Sequence, residues 1–188
     1  MTERETYTVI SAESMETAET VPFITLGPDL SGNAVPFTAF ALPCWADNGI
    51  LLHMHARVPG GPRKDDRLEC RIIPDRDGEY FCFRVSPSGN LEILDGKGER
   101  CKAADDFTDK FRLFMETSED GNWGAYWVMP AALLKLAVPD LRIVREAVIG
   151  ARFTAVSCSA DGSETVLTWP EASDAAADST FGLLIMGE

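Results

Sequence analysis

The sequence of 188 residues has no long run of apolar residues. No stretch approaches the roughly 20 apolar residues that a membrane-spanning helix needs. The beginning of the chain, from Met1 to Ser11, is polar and charged, without the apolar centre of a secretion signal. We therefore expect a cytoplasmic protein with no membrane association, unless a leader has been removed.

The sequence is also poor in residues that serve metal and nucleophile chemistry. It has two histidines, His53 and His55, and five cysteines, of which no two form a Cys-x-x-Cys pair. This spacing and the odd number argue against a zinc site and against a secreted disulfide framework, and favour reduced, mostly buried thiols. His53 and His55 would share one strand face. We interpret them as partly exposed polar residues, because no third ligand for a metal is evident.

The common signatures of enzymes are missing. The sequence contains no Gly-x-Ser-x-Gly, His-Glu-x-x-His, P-loop or Gly-x-Gly-x-x-Gly motif. Carboxylates are abundant, but the glycosidase reaction depends on their separation in space, which a sequence does not supply. We expect a non-catalytic protein without a cofactor. A structural calcium ion held by acidic residues such as Asp65 and Asp66 is left open, and the alternative for them is exposure or a turn cap.

Basic residues are outnumbered by acidic ones, 17 to 30, and the formal net charge is −13. Such a surface repels phosphate groups, so nucleic acid and anionic membranes are excluded as expected partners. The simplest role of the acidity is solubility.

Apolar residues that alternate with polar ones are the dominant pattern, which is typical of half-buried strands. From Ile50 to Val58, every second residue is apolar and the histidines lie on the opposite face. Turn residues such as Asp47-Asn48-Gly49 separate these segments. The predicted strands are Tyr7–Ile10 (an edge strand), Pro36–Leu42, Ile50–Val58, Leu68–Ile73, Tyr80–Val85, Leu91–Leu94, Phe111–Glu116, Trp123–Met129, Arg152–Ser157, Thr165–Trp169 and Phe181–Met186.

Helix is scarce in this pattern. Only Ala131 to Leu136, which follows Pro130, is predicted to form a short helix. Val138–Val148 gives no clear pattern, and Glu171–Thr180 is predicted to be a surface loop. We therefore predict one domain over residues 1–188, an all-β antiparallel sandwich of immunoglobulin or jelly-roll type with one short helix.

The four tryptophans are the aromatic residues with the clearest alternative roles. Exposed rings can stack on sugars, whereas buried rings fill a core. Trp123 and Trp127 share a strand face with apolar neighbours, which favours the core. Trp169 comes at the end of a predicted strand, before Pro170, and is the better candidate for an exposed ring. Trp45 lies near the first hairpin turn and could take either role.

Four segments in order resemble the family 9 carbohydrate-binding modules and their DOMON-like relatives. The resemblance extends over about four-fifths of the chain, from about Pro36 to its end. Each segment corresponds to one feature of the family. In order, these are an Asp-x-x-Glu strand, a tyrosine-rich strand with a Ser-Pro-x-Gly turn, a tryptophan strand with a following helix, and a closing Trp–loop–Phe-Gly strand. The segments are Asp66–Pro74, Gly78–Ile93, Asn122–Leu134 and Leu167–Met186.

The resemblance implies a β-sandwich that binds a saccharide without catalysis. In the family, two tryptophans clamp the sugar, and a glutamate and an arginine bind its hydroxyl groups. Glu69 and Arg84 match these two polar residues. The tryptophan positions fall near Arg63 and within Asp174–Ala177, and neither is aromatic here. The candidate ligand-binding residues are thus Glu69, Arg84, Trp169 and Arg63.

Two functions are the main alternatives from the sequence, and a third, carboxylate-based glycoside hydrolysis, would require two carboxylates that face each other across a cleft. The first is a carbohydrate-binding domain, implied to be bacterial, that acts beside a hydrolase and presents Glu69, Arg84 and an exposed ring on a concave face. The second is a sandwich that lost its sugar site and serves protein–protein interaction through an exposed apolar patch or a free edge. In that case Glu69 and Arg84 form a cross-strand ion pair. The oligomeric state is left open.

Overall fold

The computed structural model describes residues 5–15, 23–28, 37–46, 48–73, 80–102, 112–118, 120–136, 138–170 and 181–187. These residues form thirteen strands and two helices of a single turn. The strands are β1 (Thr6–Ser11), β2 (Ile24–Thr25), β3 (Gly27–Pro28), β4 (Thr38–Ala46), β5 (Gly49–Arg57), β6 (Arg67–Ile73), β7 (Phe81–Val85), β8 (Leu91–Leu94), β9 (Arg112–Thr117), β10 (Asn122–Pro130), β11 (Val148–Cys158), β12 (Glu164–Trp169) and β13 (Gly182–Met186). The helices are α1 (Ala12–Met15) and α2 (Ala131–Leu134).

The strands form one mixed sheet in the order β8-β7-β6-β11-β13-β1-β4-β5-β10-β9, with β2, β3 and β12 attached beside this path. The sheet curls so that its two halves enclose a single apolar core. We call the half from β8 to β13 the first layer and the half from β4 to β9 the second layer. The predicted all-β sandwich is confirmed.

Strand β1 joins the two layers, and this differs from the expectation. It pairs in parallel with β13 on one side and with β4 on the other, and Val9 at its centre is fully buried. The prediction of an edge strand over Tyr7–Ile10 is therefore wrong. Polar residues around Val9 gave it the composition of an edge, whereas its pairing depends on residues far away in the sequence.

The alternating pattern forms the core as predicted. On β5, Ile50, Leu52, Met54 and Ala56 are buried, while His53 and His55 face outward. Trp123 and Trp127 of β10 are fully buried, which confirms their core role. Burial of side chains of this size contributes the largest favourable free energy to folding. All five cysteines are free thiols, and Cys44, Cys70 and Cys82 are buried.

Smaller features differ from the predictions. The helix after Pro130 ends at Leu134 rather than Leu136. Strands β2 and β3 were not predicted, because two residues are too few to establish a period. Residues 138–147 form turns and segments without regular secondary structure. The predicted loop Glu171–Thr180 lies outside the described residues. No helix in the described part of the chain is long and apolar enough to span a membrane.

Candidate functional site

A line of polar side chains crosses the outward face of the first layer. The register pairs Glu92 with Arg84, Arg84 with Glu69, and Glu69 with Thr154. Residues directly opposite each other on neighbouring strands project to the same side of a sheet. Strands β8, β7, β6 and β11 therefore bring together residues that are distant in the sequence.

The carboxylate of Glu69 is the centre of this line. Its Oε1 atom accepts hydrogen bonds from Nε of Arg67, at 2.8 Å, and from Nε of Arg84, at 2.9 Å. Its Oε2 atom lies 3.6 Å from Nη2 of Arg71. The Glu69 side chain is only 4% exposed. We call Glu69, its partners Arg67, Arg71 and Arg84, and the Arg67 partner Glu164 the arginine–glutamate cluster. The predicted alternative, a cross-strand ion pair of Glu69 and Arg84, is confirmed as a contact, although Glu69 is buried rather than solvated.

Glu164 of β12 extends the cluster to its edge. Arg67 donates two hydrogen bonds to it, from Nη1 at 2.7 Å and from Nη2 at 3.0 Å. This paired geometry is the strongest that a guanidinium and a carboxylate form. The hydrogen bond to Glu164 raises the pKa of Arg67, and the same bond lowers the pKa of Glu164. Burial, with Glu69 adding to it, raises the pKa of the Cys82 thiol to about 11. This thiol is therefore inert at neutral pH.

The arginines, not the glutamate, are the accessible groups of the cluster. The side chain of Arg84 is 34% exposed, and its Nη1 atom lies 3.5 Å from the exposed Glu92. Farther along the same face, on β11 and β12, the polar side chains are shielded from solvent. Arg152 is buried there and donates a hydrogen bond to the hydroxyl of Thr168. The open part of the face thus lies over β6, β7 and β8. There the surface offers guanidinium donors that a buried carboxylate holds in place.

Among the described residues, the aromatic ring of Tyr80 accompanies the open arginines. It is half-buried, and the guanidinium of Arg71 lies 5.8 Å from its centre. A cation over a ring is a favourable contact. Tyr80 was not among the predicted site residues. The alternation of Tyr80, Cys82 and Arg84 already placed it on the face of Arg84, and this signal could have found it.

Arg63 lies at the margin of this face, in the loop between β5 and β6. Its guanidinium donates to the carbonyl oxygen of Cys158, at the end of β11. Its backbone N–H donates to the carboxylate of Asp66, at 2.8 Å, which also accepts from the backbone N–H of Cys158, at 2.7 Å. Asp66 is buried and serves as a turn cap, one of its two predicted roles. In the described residues, no group of histidine, cysteine and acidic side chains is arranged to hold a metal ion.

The expectation that Trp169 is exposed is wrong. The residue is 7% exposed, and its ring stacks on Phe153 at 5.6 Å between ring centres. Trp169 pairs with Phe153 across β11 and β12, whereas the neighbouring Thr168 pairs with Thr154 on the polar face. The tryptophan therefore points into the core. Trp45 is half-buried and donates from its indole N–H to the carbonyl oxygen of Gly187, at 3.0 Å.

The second layer carries an aromatic surface on its outward face. Leu42, His53, Tyr126 and Phe114 lie side by side across β4, β5, β10 and β9. The Tyr126 and His53 rings stack with 3.9 Å between their centres. Phe114 and Phe23 are both 58% exposed. Exposed apolar rings of this kind mark binding surfaces, and the apolar patch expected of an interaction module is present.

The histidines of this surface make stability depend on pH. Burial lowers the pKa of His53 and of His55, and the nearby Glu116 opposes this only in part. As the pH falls below about 6.5, these histidines therefore take up protons in the unfolded chain before they do so in the folded protein. The contribution of the neutral histidines to the free energy of unfolding is complete above that pH and is lost below it. We expect the melting temperature to fall by about 2–4 °C between about pH 7.5 and 5.5.

A thermal denaturation series with the double variant His53→Gln, His55→Gln checks this dependence. These are the two histidines of the chain, so the variant removes the whole histidine contribution in this pH range. Its melting temperature should stay nearly constant over the series. An equally steep decrease in the variant would contradict the assignment.

The fold is shared with several solved structures. No protein-family model and no curated protein matches the sequence. Among solved structures, a candidate carbohydrate-binding protein from Bacteroides uniformis ATCC 8492 superposes with a TM-score of 0.75 at 14% identity, over 98% of this chain and all of that one.

Two further structures are of a family 9 carbohydrate-binding module from Caldicellulosiruptor kristjanssonii. The complex with cellotriose has a TM-score of 0.71 at 10% identity, over 97% of this chain and 94% of that chain. The complex with glucose has a TM-score of 0.68 at 10% identity, over 98% of this chain and 97% of that chain. The resemblance to this family is thus confirmed for the fold.

Proposed function

We propose that this protein is a non-catalytic carbohydrate-binding domain, and that the arginine–glutamate cluster is its binding site. The observation that carries the proposal is the partly exposed guanidinium of Arg84, which the buried Glu69 holds on an outward sheet face. Both residues match the polar residues of the family that the sequence resembles, and two solved structures of family 9 modules with this fold, from one organism, hold saccharides.

In this proposal the two residues have different roles. Glu69 is buried beneath its arginine partners and already accepts two short hydrogen bonds. It acts as the positioning residue, while Arg84 and Arg67 donate hydrogen bonds to sugar hydroxyls. The ring of Tyr80 supplies an apolar surface on the same face. A single half-buried ring stabilises a sugar by about 1 kcal/mol, so we expect weak, millimolar binding rather than the affinity of a two-tryptophan clamp.

Replacing Arg84 with alanine tests the role of the guanidinium. We expect the variant to fold and to bind saccharide at least about 10-fold more weakly, because a charge-assisted hydrogen bond contributes about 1.5–3 kcal/mol. Isothermal titration with glucose, cellotriose and a broader panel of oligosaccharides measures the loss. Arg112→Ala is the control, since Arg112 is exposed on β9 of the second layer.

The titrations also separate this proposal from its alternative. Equal affinities of Arg84→Ala and the unaltered protein would remove Arg84 from the site. No heat with any sugar of the panel would count against carbohydrate binding itself. The alternative, a protein-interaction module, is favoured by the exposed aromatic surface of the second layer, and sedimentation velocity would then show self-association.

A further inference from the structure

A groove of about 510 Å³ lies on the outward face of the second layer, away from the arginine–glutamate cluster. Its floor and walls come from β4, β5, β9 and β10. Most of its lining is aliphatic or aromatic, and its volume is in the range of small-molecule sites. We call it the aromatic groove. Its principal outward side chains are those of Leu42, Leu51, His53, Phe114, Glu116 and Tyr126.

Among the described residues that line the groove, Glu116 alone carries a charge. Its side chain is 53% exposed, and its carboxylate lies 3.7 Å from Nε2 of His53. Burial raises the pKa of the Tyr126 hydroxyl, and the neighbouring Glu116 carboxylate raises it further. Burial lowers the pKa of His53, so at pH 7 that imidazole does little to offset the carboxylate charge.

Two aromatic rings stand beside this carboxylate. Tyr126 and Phe114 are direct neighbours across β10 and β9, and Glu116 lies two residues beyond Phe114 on the same strand face. One face of the Tyr126 ring is covered by His53, which fixes its orientation. The face of an aromatic ring is electronegative and attracts cations within about 6 Å of its centre.

We propose that the aromatic groove binds a cation carried on an apolar body, of the quaternary or alkylated ammonium class. The rings contact the alkyl groups and the positive charge together, and Glu116 provides the counter-charge. The net charge of the chain, −13, attracts the same ligands over longer distances. This binding is independent of the saccharide site, which lies in the other layer.

The chemistry of the groove distinguishes this ligand from the alternatives. A sugar needs several hydrogen-bond partners, whereas the described lining of the groove offers few polar side chains, those of His53, Glu116 and Tyr126 and the thiol of Cys44, among mostly apolar ones. A neutral apolar molecule would leave the carboxylate without a counter-charge. A compact ammonium ion with methyl substituents uses both the apolar walls and the charge.

Binding of choline, compared with that of 3,3-dimethylbutan-1-ol, tests the proposal with the full chain. The two molecules have the same shape and differ in charge. Nuclear magnetic resonance titration should show choline binding at least about 10-fold more tightly than the alcohol. The variant Glu116→Gln should lose most of that preference, whereas the control Glu99→Gln, on an exposed hairpin after β8, should retain it.

A second variant separates the rings from the charge. Phe114→Leu keeps apolar volume and removes the π-face, so we expect several-fold weaker choline binding and unchanged binding of the alcohol. Equal affinities for choline and the alcohol would overturn the proposal, as would no resonance shift with choline. So would a dimer in sedimentation velocity that Phe114→Leu dissociates, since the groove would then be covered by a second copy.

Discussion

Replacing Glu69 with alanine is expected to lower the free energy of unfolding by about 3 kcal/mol. The change removes the carboxylate that joins Arg67, Arg71 and Arg84. Loss of one partner from a buried ion pair costs about 3–5 kcal/mol. We expect the lower end of that range, because the three guanidiniums remain partly exposed and water can reach them. Urea-induced unfolding followed by tryptophan fluorescence measures the difference.

Glu92→Gln is the matched control for this experiment. Glu92 also contacts Arg84, but at 3.5 Å and with an exposed side chain. Exposed pairs of this kind contribute well under about 1 kcal/mol. A loss of stability in Glu69→Ala as small as that in Glu92→Gln would show that the cluster is a solvated surface pair. If Glu69 positions Arg84, Glu69→Ala also weakens saccharide binding. The titration is made without urea, at a temperature at which the variant is folded.

Trp169→Ala is expected to lower the free energy of unfolding by about 3–5 kcal/mol, the range for removal of a large aromatic core residue. The indole packs on Phe153 and lies directly against Gly182, where an added Cβ atom would come within 2.5 Å of Cη2. Gly182→Ala should therefore also destabilise the protein, by about 1–3 kcal/mol, through overpacking. Both values follow from urea unfolding curves.

These variants also decide the role of Trp169. Trp169→Phe retains a ring against Phe153 and should recover a substantial part of the lost stability. A surface ring that stacked on sugar would give the reverse result, with little change in stability and a loss of binding. Saccharide titration of Trp169→Phe, which is expected to equal the unaltered protein, makes that comparison.

The sequence predicted those features that local alternation controls. On β5 and β7, the side of each residue follows from period two, and the structure places Leu52 inward and His53 outward as expected. The ends of most strands agree within a few residues for the same reason. Turns containing glycine, such as Ser86 to Asn90, fixed the points where the chain reverses.

The pattern failed where burial depends on distant partners. Val9 lies in a polar segment, yet β1 is enclosed by β13 and β4. Trp169 ends its strand before Pro170, a position that suggested exposure. It is buried because β11 and Gly182 provide a surface for its ring. In both cases the neighbours that close the surface come from other parts of the chain.

By itself, the sequence determined an all-β fold and the inward and outward sides of its strands, including the outward side of Glu69 and of Arg84, because these depend on alternation along a single strand. Only the tertiary structure decided that Glu69 is buried under three arginines and that Phe114, Tyr126 and Glu116 form one groove. Strand register sets these contacts, since it brings residues from separate strands within hydrogen-bonding or stacking distance. Register depends on the whole curled sheet rather than on any local segment.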